Sequence, residues 1–463
     1  MKKSILLVFT AVIIILGGTA YAVLSETKEQ ASIKEQYSDI ASKIIAASLQ
    51  DSNAYKRLSI MCDTYGPRIS GSQNLEKAID WILATMKTDG FDTVYSEPVK
   101  VPHWVRGNES LTLNSPFEKN ISVFSLGGSI ATPTKGVTGE VIVVHSFDEL
   151  AKRSKDANGK IVLFNVPFTK YGETVRYRVN GASEAAKHGA IASLVRSIGP
   201  ASLNTPHTGG MRYSDDGKKI PHAAISIEDA EMLDRQCGLG LKPNVTLKLE
   251  SKFLPDANSR NVIAEIRGSE KPEEIVVFGG HIDSWDVGQG AMDDGGGCIA
   301  AWEALRVIKK LGIRPKRTLR VCFWTNEENG LMGGKTYAKL HAKEIPNHVL
   351  AVESDAGTFK PKGFDFGGSP KGMELAKEIC SLLGMIDASA CEEGSGGADI
   401  GPVMELGVPG MGLLVDDSKY FNYHHTNADM MDKLNPRELA LCTASMAVLT
   451  YVAADMPKKI QRK

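Results

Sequence analysis

Imidazole and carboxylate side chains recur in the C-terminal half of the chain, where apolar segments give way to loops. The set is His281, Asp283, Asp293, Glu327, Glu328, Asp355 and His425. Imidazole is a common zinc ligand, and a carboxylate can bridge two ions about 3.5–4 Å apart. Two histidines and three carboxylates therefore form a suitable set of ligands for a pair of divalent ions.

A pair of divalent ions would activate water for attack on a carbonyl group. The reaction needs one further carboxylate, free of metal, to take the proton of that water. Adjacent Glu327 and Glu328 meet both needs from one loop, since one can ligate while its neighbour stays free. Asp283, two residues beyond His281, is predicted to accept the imidazole N–H and orient the ring. The predicted chemistry is metal-assisted hydrolysis.

Each of these residues also has a structural interpretation. Glu327 and Glu328 are compatible with a solvated loop, and Asp293 and Asp355 with helix caps. The Gly-rich run GAMDDGGG around Asp293 is similar to a phosphate-binding loop but lacks the Lys-Ser/Thr ending of one. The joint placement of the residues, rather than any one of them, favours the metal site.

Alternating strands and helices must position these side chains. After Pro255, the apolar segments predicted to be strands are Ile275–Phe278, Thr318–Trp324, Val349–Val352 and Met411–Val415. The predicted helices are Cys298–Leu311, Lys335–Ala342, Met373–Leu383 and a long final helix that begins after the cap Asn435 and runs to about Ala454. This alternation indicates an α/β sandwich with a mainly parallel central sheet, whose ligands bind beyond the carboxyl ends of the strands.

Residues 105–250 differ from this pattern, because short strands and turns dominate. Strands are predicted at Val137–Val144, Gly159–Asn165 and Ala190–Val195, with a helix at Ala182–His188. The histidines of this strand-rich insert have no paired ligand spacing and are predicted to be structural or surface residues: His145, His188, His207 and His222. The predicted divisions are a leader (1–22), a pro-segment or simply a first helix (23–45), the first part of the main domain (46–104), the insert (105–250) and the rest of the main domain (251–463).

The composition is that of a globular protein. The 463 residues are 42% hydrophobic and 24% charged, and the net charge of −1 argues against a nucleic-acid partner. Lys2 and Lys3, an apolar run from Ile5 to Leu16 and the small-x-small site Ala20-Tyr21-Ala22 predict a cleaved signal peptide, with an uncleaved anchor as the alternative. The chain is therefore predicted to be exported, without membrane attachment after cleavage.

Two further features bear on processing. The seven cysteines contain no C-x-x-C pair, and whether Cys380 pairs with Cys391 stays open. Asn108, Asn120 and Asn244 head glycosylation sequons, which matter only in a eukaryotic host.

Four segments make the metal-site interpretation more specific. HIDSWDVGQGAMDDGGG, FWTNEENGLMGG, VESDAGTF and YHHTNADMMDKL resemble the motifs of the co-catalytic zinc aminopeptidase-like family of metallopeptidases. The likeness extends to YGPRISGS, VPHW and HTG, and it covers nearly all of the chain after the leader. The resemblance implies a phosphorylase/hydrolase-like zinc exopeptidase sandwich with a lid-like insert of the protease-associated type.

The resemblance also implies roles for individual residues in a site with two Zn²⁺ ions. Asp293 would bridge the ions, His281 and Asp355 would hold one, Glu328 and His425 the other, and Glu327 would be the general base. His425 is preferred to its neighbour His424 because the family's ligand directly precedes Ser or Thr. Asp429 is predicted to orient His425, and Met430 stands where the family often has Thr.

These expectations define a zinc-dependent exopeptidase, a carboxypeptidase or dipeptidase acting on small unblocked peptides. The resemblance further implies secretion, a pro-segment and a homodimer. The location is predicted to be extracellular, in the secretory pathway including the lysosome, or periplasmic in a bacterial host. The alternatives are an aminopeptidase acting on longer peptides, a catalytically inactive binding module, and a single-zinc acyltransferase resembling glutaminyl cyclase.

Overall fold

The computed structural model describes residues 10–14, 21–25 and 32–462. Most of the predicted leader and residues 26–31 of the predicted pro-segment lie outside the described residues. The strands are β1 (Thr10–Ile14), β2 (Tyr21–Ser25), β3 (Thr93–Val105), β4 (Glu109–Ser115), β5 (Lys119–Ile121), β6 (Val123–Ser125), β7 (Val137–Val144), β8 (Ile161–Phe164), β9 (Ala192–Arg196), β10 (His222–Ile225), β11 (Asn244–Leu249), β12 (Lys252–Ile266), β13 (Lys271–His281), β14 (Arg317–Trp324), β15 (His348–Glu353), β16 (Pro361–Gly367), β17 (Ala390–Glu393) and β18 (Gly410–Val415).

The helices are α1 (Ile33–Gln50), α2 (Asn53–Tyr65), α3 (Gln73–Thr88), α4 (Phe147–Lys152), α5 (Ser154–Ala157), α6 (Tyr171–Lys187), α7 (Ile227–Gly238), α8 (Gly296–Lys310), α9 (Met332–Leu340), α10 (Pro370–Cys380), α11 (Gly401–Met404), α12 (Tyr420–Tyr423) and α13 (Pro436–Asp455). The strands predicted in the C-terminal half correspond to β13, β14, β15 and β18, and the predicted helices to α8, α9, α10 and α13.

An eight-stranded sheet with the order β17-β16-β18-β15-β13-β14-β12-β3 forms the centre of the main domain. Its central strands β18, β15, β13 and β14 are parallel, whereas β12 runs antiparallel to both β14 and β3. The sheet is therefore mixed, and the expectation of a mainly parallel sheet holds only for its centre. The chain leaves the sheet after β3 and returns as the adjacent β12, so these two strands run in opposite directions.

Helices α8 and α13 cover one face of this sheet and pack against each other in the core. By length and composition α13 is apolar enough to cross a membrane, but 83% of its apolar window is buried inside the protein. This burial is typical of a core helix. Helix α1 packs on α13 and buries Ala41 and Ile44 completely, so the boundary predicted at residue 45 falls within a continuous helix.

A second eight-stranded sheet, with the order β5-β4-β11-β7-β8-β9-β10-β6, is built from residues 109–249. Helix α6 packs on β9 and begins at Tyr171, eleven residues before the predicted helix start at Ala182. Its first half lacks an aliphatic stripe because the buried positions there include Thr174, Tyr177 and Arg178. Of the sequon residues on this sheet, Asn108 and Asn120 are exposed and Asn244 is half-buried, and their glycosylation stays a prediction.

The junction of α1 and α2 contains a carboxylate whose charge stabilises the fold. Oδ2 of Asp51 lies 2.5 Å from Nη2 of Arg306 on α8, and Oδ1 accepts the backbone N–H of Asn53. Burial raises the pKa of Asp51, but the bonds from Arg306 and Asn53 outweigh it and lower the pKa from 3.8 to about 2. Because the folded-state pKa is depressed, the stabilisation is present above pH 3.8 and is lost as the pH falls through 2.

Replacing Asp51 with asparagine is expected to lower the free energy of unfolding by about 2 kcal/mol at pH 7. The difference from the wild type should shrink between pH 4 and pH 2, which urea denaturation of both proteins would measure. Asp39→Asn, on the exposed face of α1, is the matched control and should have little effect. An equal loss of stability for Asp51→Asn at pH 7 and pH 3 would contradict the electrostatic explanation.

Candidate metal centre

Three parallel strands carry the predicted site residues to one edge of the central sheet. His281 is the last residue of β13, Glu327 and Glu328 follow β14, and Asp355 follows β15. Asp293 lies in a π-helical turn, Ala291–Gly295, directly before α8, and His425 lies in the loop after α12. The distances between these side chains therefore depend on the loops that follow β13, β14 and β15 and on the loop after α12.

The first half of the site is centred on His281. Its Nε2 lies 3.1 Å from Oδ1 of Asp293 and 3.2 Å from Oδ1 of Asp355. Its Nδ1 donates a hydrogen bond of 2.9 Å to the backbone carbonyl of Asp283. This bond places the proton on Nδ1 and leaves the Nε2 lone pair facing the two carboxylates, as metal binding requires.

The second half is centred on His425. Its Nε2 lies 3.3 Å from Oδ2 of Asp293 and 3.1 Å from Oε2 of Glu328, while its Nδ1 donates to the carbonyl of Thr208 at 3.3 Å. The two oxygens of Asp293 thus face different histidines, which is the arrangement a bridging carboxylate needs.

His424 lies beside this second half. Its ring stacks on His425 with a centroid separation of 3.5 Å, and its Nε2 lies 3.6 Å from Oδ2 of Asp293. Its donor atom is therefore farther from Asp293 than that of His425, so the geometry favours His425 but keeps His424 within reach of the site.

Asp429 positions the loop of Asp293. Its carboxylate accepts the backbone N–H groups of Ala291 at 3.0 Å, Met292 at 2.7 Å and Asp293 at 3.2 Å. Asp429 is predicted from the sequence to orient His425, but in the structure the Nδ1 of His425 is directed to the carbonyl of Thr208. The sequence showed only that Asp429 and His425 are near neighbours in the chain.

Asp283 acts through two different groups. Its backbone carbonyl orients His281, whereas its Oδ1 lies 3.8 Å from that ring. The carboxylate instead accepts the backbone N–H of Glu327 at 3.0 Å and the hydroxyl of Ser70 at 3.2 Å. In the structure the contact of Asp283 with His281 is therefore made by the carbonyl oxygen, and the carboxylate contacts the Glu327 loop instead.

The buried carboxylate of Asp294 lies so close to the backbone of Gly280 that this position has no room for a side chain. Asp294 accepts the backbone N–H of His281 and of Gly297, both at 3.1 Å. A Cβ atom on Gly280 would lie 2.1 Å from Oδ2 of Asp294. A larger residue at position 280 would therefore displace Asp294 and the end of β13 that carries His281.

Burial and neighbouring charges shift the pKa values of the site carboxyl groups in opposite directions. Burial raises the pKa of Asp293, but the neighbouring imidazoles of His281 and His425 outweigh it and hold the pKa well below its usual value. Burial and the nearby charge of Asp293 raise the pKa of Glu328 to about 7. Burial, with the charges of Asp355 and Glu328, also raises the pKa of Glu327 well above its usual value. A raised pKa makes the Glu327 carboxylate a stronger proton acceptor, which suits a general base.

The donor set fits divalent metal ions. Within the described residues, His281, Asp293 and Asp355 form one group of converging ligand atoms, and Asp293, His424 and His425 form another. Oδ2 of Asp293 and Oε1 of Glu328 are buried without any hydrogen-bond partner. Buried carboxylate oxygens normally have a partner, and these two oxygens lie where a cation would supply one. Imidazole and carboxylate ligands together suit zinc.

A cavity of about 390 Å³ opens onto these ligands. Its lining residues are Tyr171, Arg178, Asp293, Glu327, Glu328, Asp355, Ala356, Asp417, Tyr420, Phe421, His424 and His425. Tyr171 and Arg178 belong to α6 of the second sheet, so this part of the chain forms one wall of the cavity. Sequence reasoning missed both residues, because nothing in their local pattern connects them with motifs more than a hundred residues away.

Comparison with known proteins agrees with this geometry. Residues 261–450 match the model of peptidase family M28. Carboxypeptidase Q of Xenopus laevis is 50% identical over 429 residues, which cover 92% of each chain. The crystal structure of a peptidase M28 precursor from Shewanella amazonensis SB2B is 36% identical, with a TM-score of 0.89, and covers 92% of this chain and 99% of that one.

A zinc aminopeptidase from Bacillus subtilis shares the fold, with a TM-score of 0.67 and 22% identity over 88% of this chain and 96% of that one. The identity and coverage of the first relatives, together with the His and Asp groups at the strand ends, establish the family resemblance suggested by the motifs. The chain belongs to peptidase family M28 and is a metallo-exopeptidase homologous to carboxypeptidase Q.

Proposed function

We propose that this protein is a two-zinc exopeptidase that hydrolyses small unblocked peptides, above all dipeptides. The observation that carries the proposal is the placement of Asp293, whose two oxygens lie 3.1 Å from His281 and 3.3 Å from His425. His281 and Asp355 would hold one ion, and His425 and Glu328 the other, with Asp293 shared between them.

When bound, a pair of zinc ions would supply Lewis acidity that polarises the scissile carbonyl and lowers the pKa of water. The protein supplies the proton transfers. Glu327 lines the cavity, and its carboxylate would accept the proton of the attacking water and donate it to the leaving amine. The bond from its backbone N–H to Asp283 holds this loop against β13, next to His281.

The backbone of the Glu327 loop supports the same role. Asn326 has a positive φ of 69°, and its side chain donates to Ser70 at 3.0 Å. Leu331 closes the turn by donating its N–H to the carbonyl of Asn326 at 2.6 Å. A left-handed residue costs about 1–3 kcal/mol and persists only where its surroundings hold it. These bonds hold the backbone of the loop on which Glu327 and Glu328 lie.

The size of the cavity supports small substrates. A volume of about 390 Å³ falls in the range of small-molecule sites, and aromatic side chains form part of its wall. The name of the carboxypeptidase Q relatives supports removal of a residue with a free carboxylate.

The zinc-loaded protein tests the proposal with an unblocked dipeptide and the same dipeptide amidated at its C-terminus. Preferential hydrolysis of the free acid is the expected result. Equal cleavage of both would show that the C-terminus is not sensed and would make the protein an aminopeptidase. A metal content of one zinc per chain would instead favour a mononuclear site.

Matched alanine variants distinguish the roles of His424 and His425 in zinc binding. His425→Ala is expected to lose about one zinc per chain and more than about 100-fold of kcat/KM, because it removes a ligand atom next to both Asp293 and Glu328. His424→Ala should retain both ions and lose less activity. Zinc content by atomic emission, with dipeptide kinetics, distinguishes the two. Loss of zinc in His424→Ala alone would reverse the assignment.

A further inference from the structure

Arg178 is a buried cation in the wall of the substrate cavity. It is only 5% exposed and lies on α6, opposite the loop that carries His425. Its Nη1 is 3.4 Å from Nδ1 of His425, which places the guanidinium next to one half of the metal centre. The proposed mechanism uses no positive side chain, so this residue has no role in it.

The hydrogen bonds of Arg178 leave part of the guanidinium unused. Nε donates to the carbonyl of Gly210 at 3.3 Å, Nη1 to the carbonyl of Thr208 at 3.4 Å, and Nη2 to the hydroxyl of Tyr171 at 2.9 Å. A guanidinium has five N–H groups, so one on Nη1 and one on Nη2 remain after these three bonds. Nη1 also lies 3.4 Å from Nδ1 of His425, but that nitrogen donates its own proton to Thr208 and therefore cannot accept another. The two remaining N–H groups form the fork that binds a carboxylate through both of its oxygens.

Tyr171 adds a third donor at the same place. Its hydroxyl accepts from Arg178, and in the part of the chain between residues 32 and 462 it donates to no other group. Its ring is held by stacking on Phe421, at a centroid distance of 5.1 Å, and by edge contact with His424. The hydroxyl proton is therefore free to point at a ligand that Arg178 binds.

Arg178 also lacks an anionic partner. Among residues 32–462, no carboxylate oxygen lies within 4.0 Å of its guanidinium, whereas the buried Arg317 pairs with Glu274 and the buried Arg320 with Glu265. The buried Arg68 also lacks an acid, but it donates to four backbone carbonyls, while Arg178 donates to two. A buried charge without a partner is strongly unfavourable unless a ligand supplies the opposite charge. The acids of the metal centre would be engaged by bound metal, so an anion that pairs with Arg178 would be supplied by the substrate.

We propose that Arg178, assisted by the hydroxyl of Tyr171, binds the free α-carboxylate of the peptide substrate. The inference rests on the proposed exopeptidase function and adds the group that recognises the substrate terminus. In a dipeptide the carboxylate lies one residue from the scissile carbonyl, and Arg178 lines the same cavity as the candidate metal ligands. The second sheet would thus determine which peptides are accepted, while the central sheet carries out hydrolysis.

The test uses the dipeptide and its amide with four zinc-loaded variants: Arg178→Ala, Arg178→Lys, Tyr171→Phe and Arg176→Ala. Arg176 is the matched control, because it lies on the same helix but is exposed and packs over Phe147 and Tyr177. Zinc content and kcat/KM for both substrates are measured for each variant.

Arg178→Ala is expected to reduce kcat/KM for the free acid by at least about 30-fold and for the amide by less than about threefold. Arg178→Lys should recover part of the free-acid activity, since it keeps the charge but not the two-point geometry. Tyr171→Phe should cost about tenfold on the free acid alone. Arg176→Ala should match the wild type on both substrates.

Two results would overturn the inference. Equal losses on the acid and the amide, or loss of zinc, would show that Arg178 only positions Thr208 and His425. If Arg178→Ala still preferred the free acid to the amide as strongly as the wild type does, another group would bind the carboxylate. In both cases the wild type still prefers the free acid. If the wild type itself fails to discriminate, it is the proposed substrate class that is wrong.

Discussion

Replacing Glu327 with glutamine is expected to abolish turnover and leave the zinc content unchanged. Glutamine has the same shape but cannot accept the proton of the attacking water. Glu328 rather than Glu327 lies within ion-pair distance of His425, so the change at position 327 should leave the ligands in place. Loss of a general base costs about 10²–10⁴-fold in rate. The measurement is kcat for an unblocked dipeptide, with zinc content determined on the same preparation.

Glu328→Gln is the informative comparison, because it changes the adjacent residue of the same loop. Oε2 of Glu328 lies 3.1 Å from His425, so this variant should lose metal as well as activity. A kcat for Glu327→Gln within tenfold of the wild type would exclude Glu327 as the base. Loss of zinc from Glu327→Gln would instead make it a ligand and exchange the roles of the two glutamates.

The second large effect is expected from Asp293→Asn. The variant replaces one carboxylate oxygen with an amide nitrogen, so only one of the two sides of the bridge keeps a donor. We expect zinc content to fall from two per chain to one or fewer, and kcat/KM to fall by more than about 100-fold. Excess zinc in the assay should not restore full activity, because the missing ligand atom is part of both ion sites.

Asp432→Asn serves as the control for this variant, because Asp432 is an exposed aspartate paired with Lys433 in the loop after His425. It should retain both zinc ions and the activity of the wild type. A fully active, two-zinc Asp293→Asn enzyme would contradict the bridging role and leave His281 and His425 as ligands of independent ions.

The sequence predicted the central part of the fold because its local and global signals agree. Apolar runs such as Val349–Val352 are too short for helices and lie between amphipathic helical patterns, which is typical of buried parallel strands. The structure confirms an α/β fold, but the sheet is mixed, since β12 pairs antiparallel with β14 and β3 on one side of the parallel centre and β16 pairs antiparallel with β18 on the other. Pairing at an edge depends on where the chain re-enters the sheet, which no local pattern encodes.

Helix α6 shows a second kind of limit. Its buried face uses Thr174, Tyr177 and Arg178, polar or aromatic residues that produce no aliphatic periodicity. Tyr177 packs against Phe147 and Phe164, whereas Arg178 lines the cavity beside the metal centre.

By itself, the sequence determined the chemical types and the order of the metal-centre residues. His281, Asp293, Glu327, Glu328, Asp355 and His425 follow predicted strands or lie in loops, and parallel strands bring their ends to a common edge. Only the tertiary structure decided which atom acts on which. It showed that Asp283 orients His281 through its carbonyl, that Asp429 holds the backbone of Asp293, and that Arg178 and Tyr171 border the cavity. The reason is that hydrogen bonds and charge contacts have a range of a few ångströms, whereas their partners lie up to several hundred residues apart in the chain.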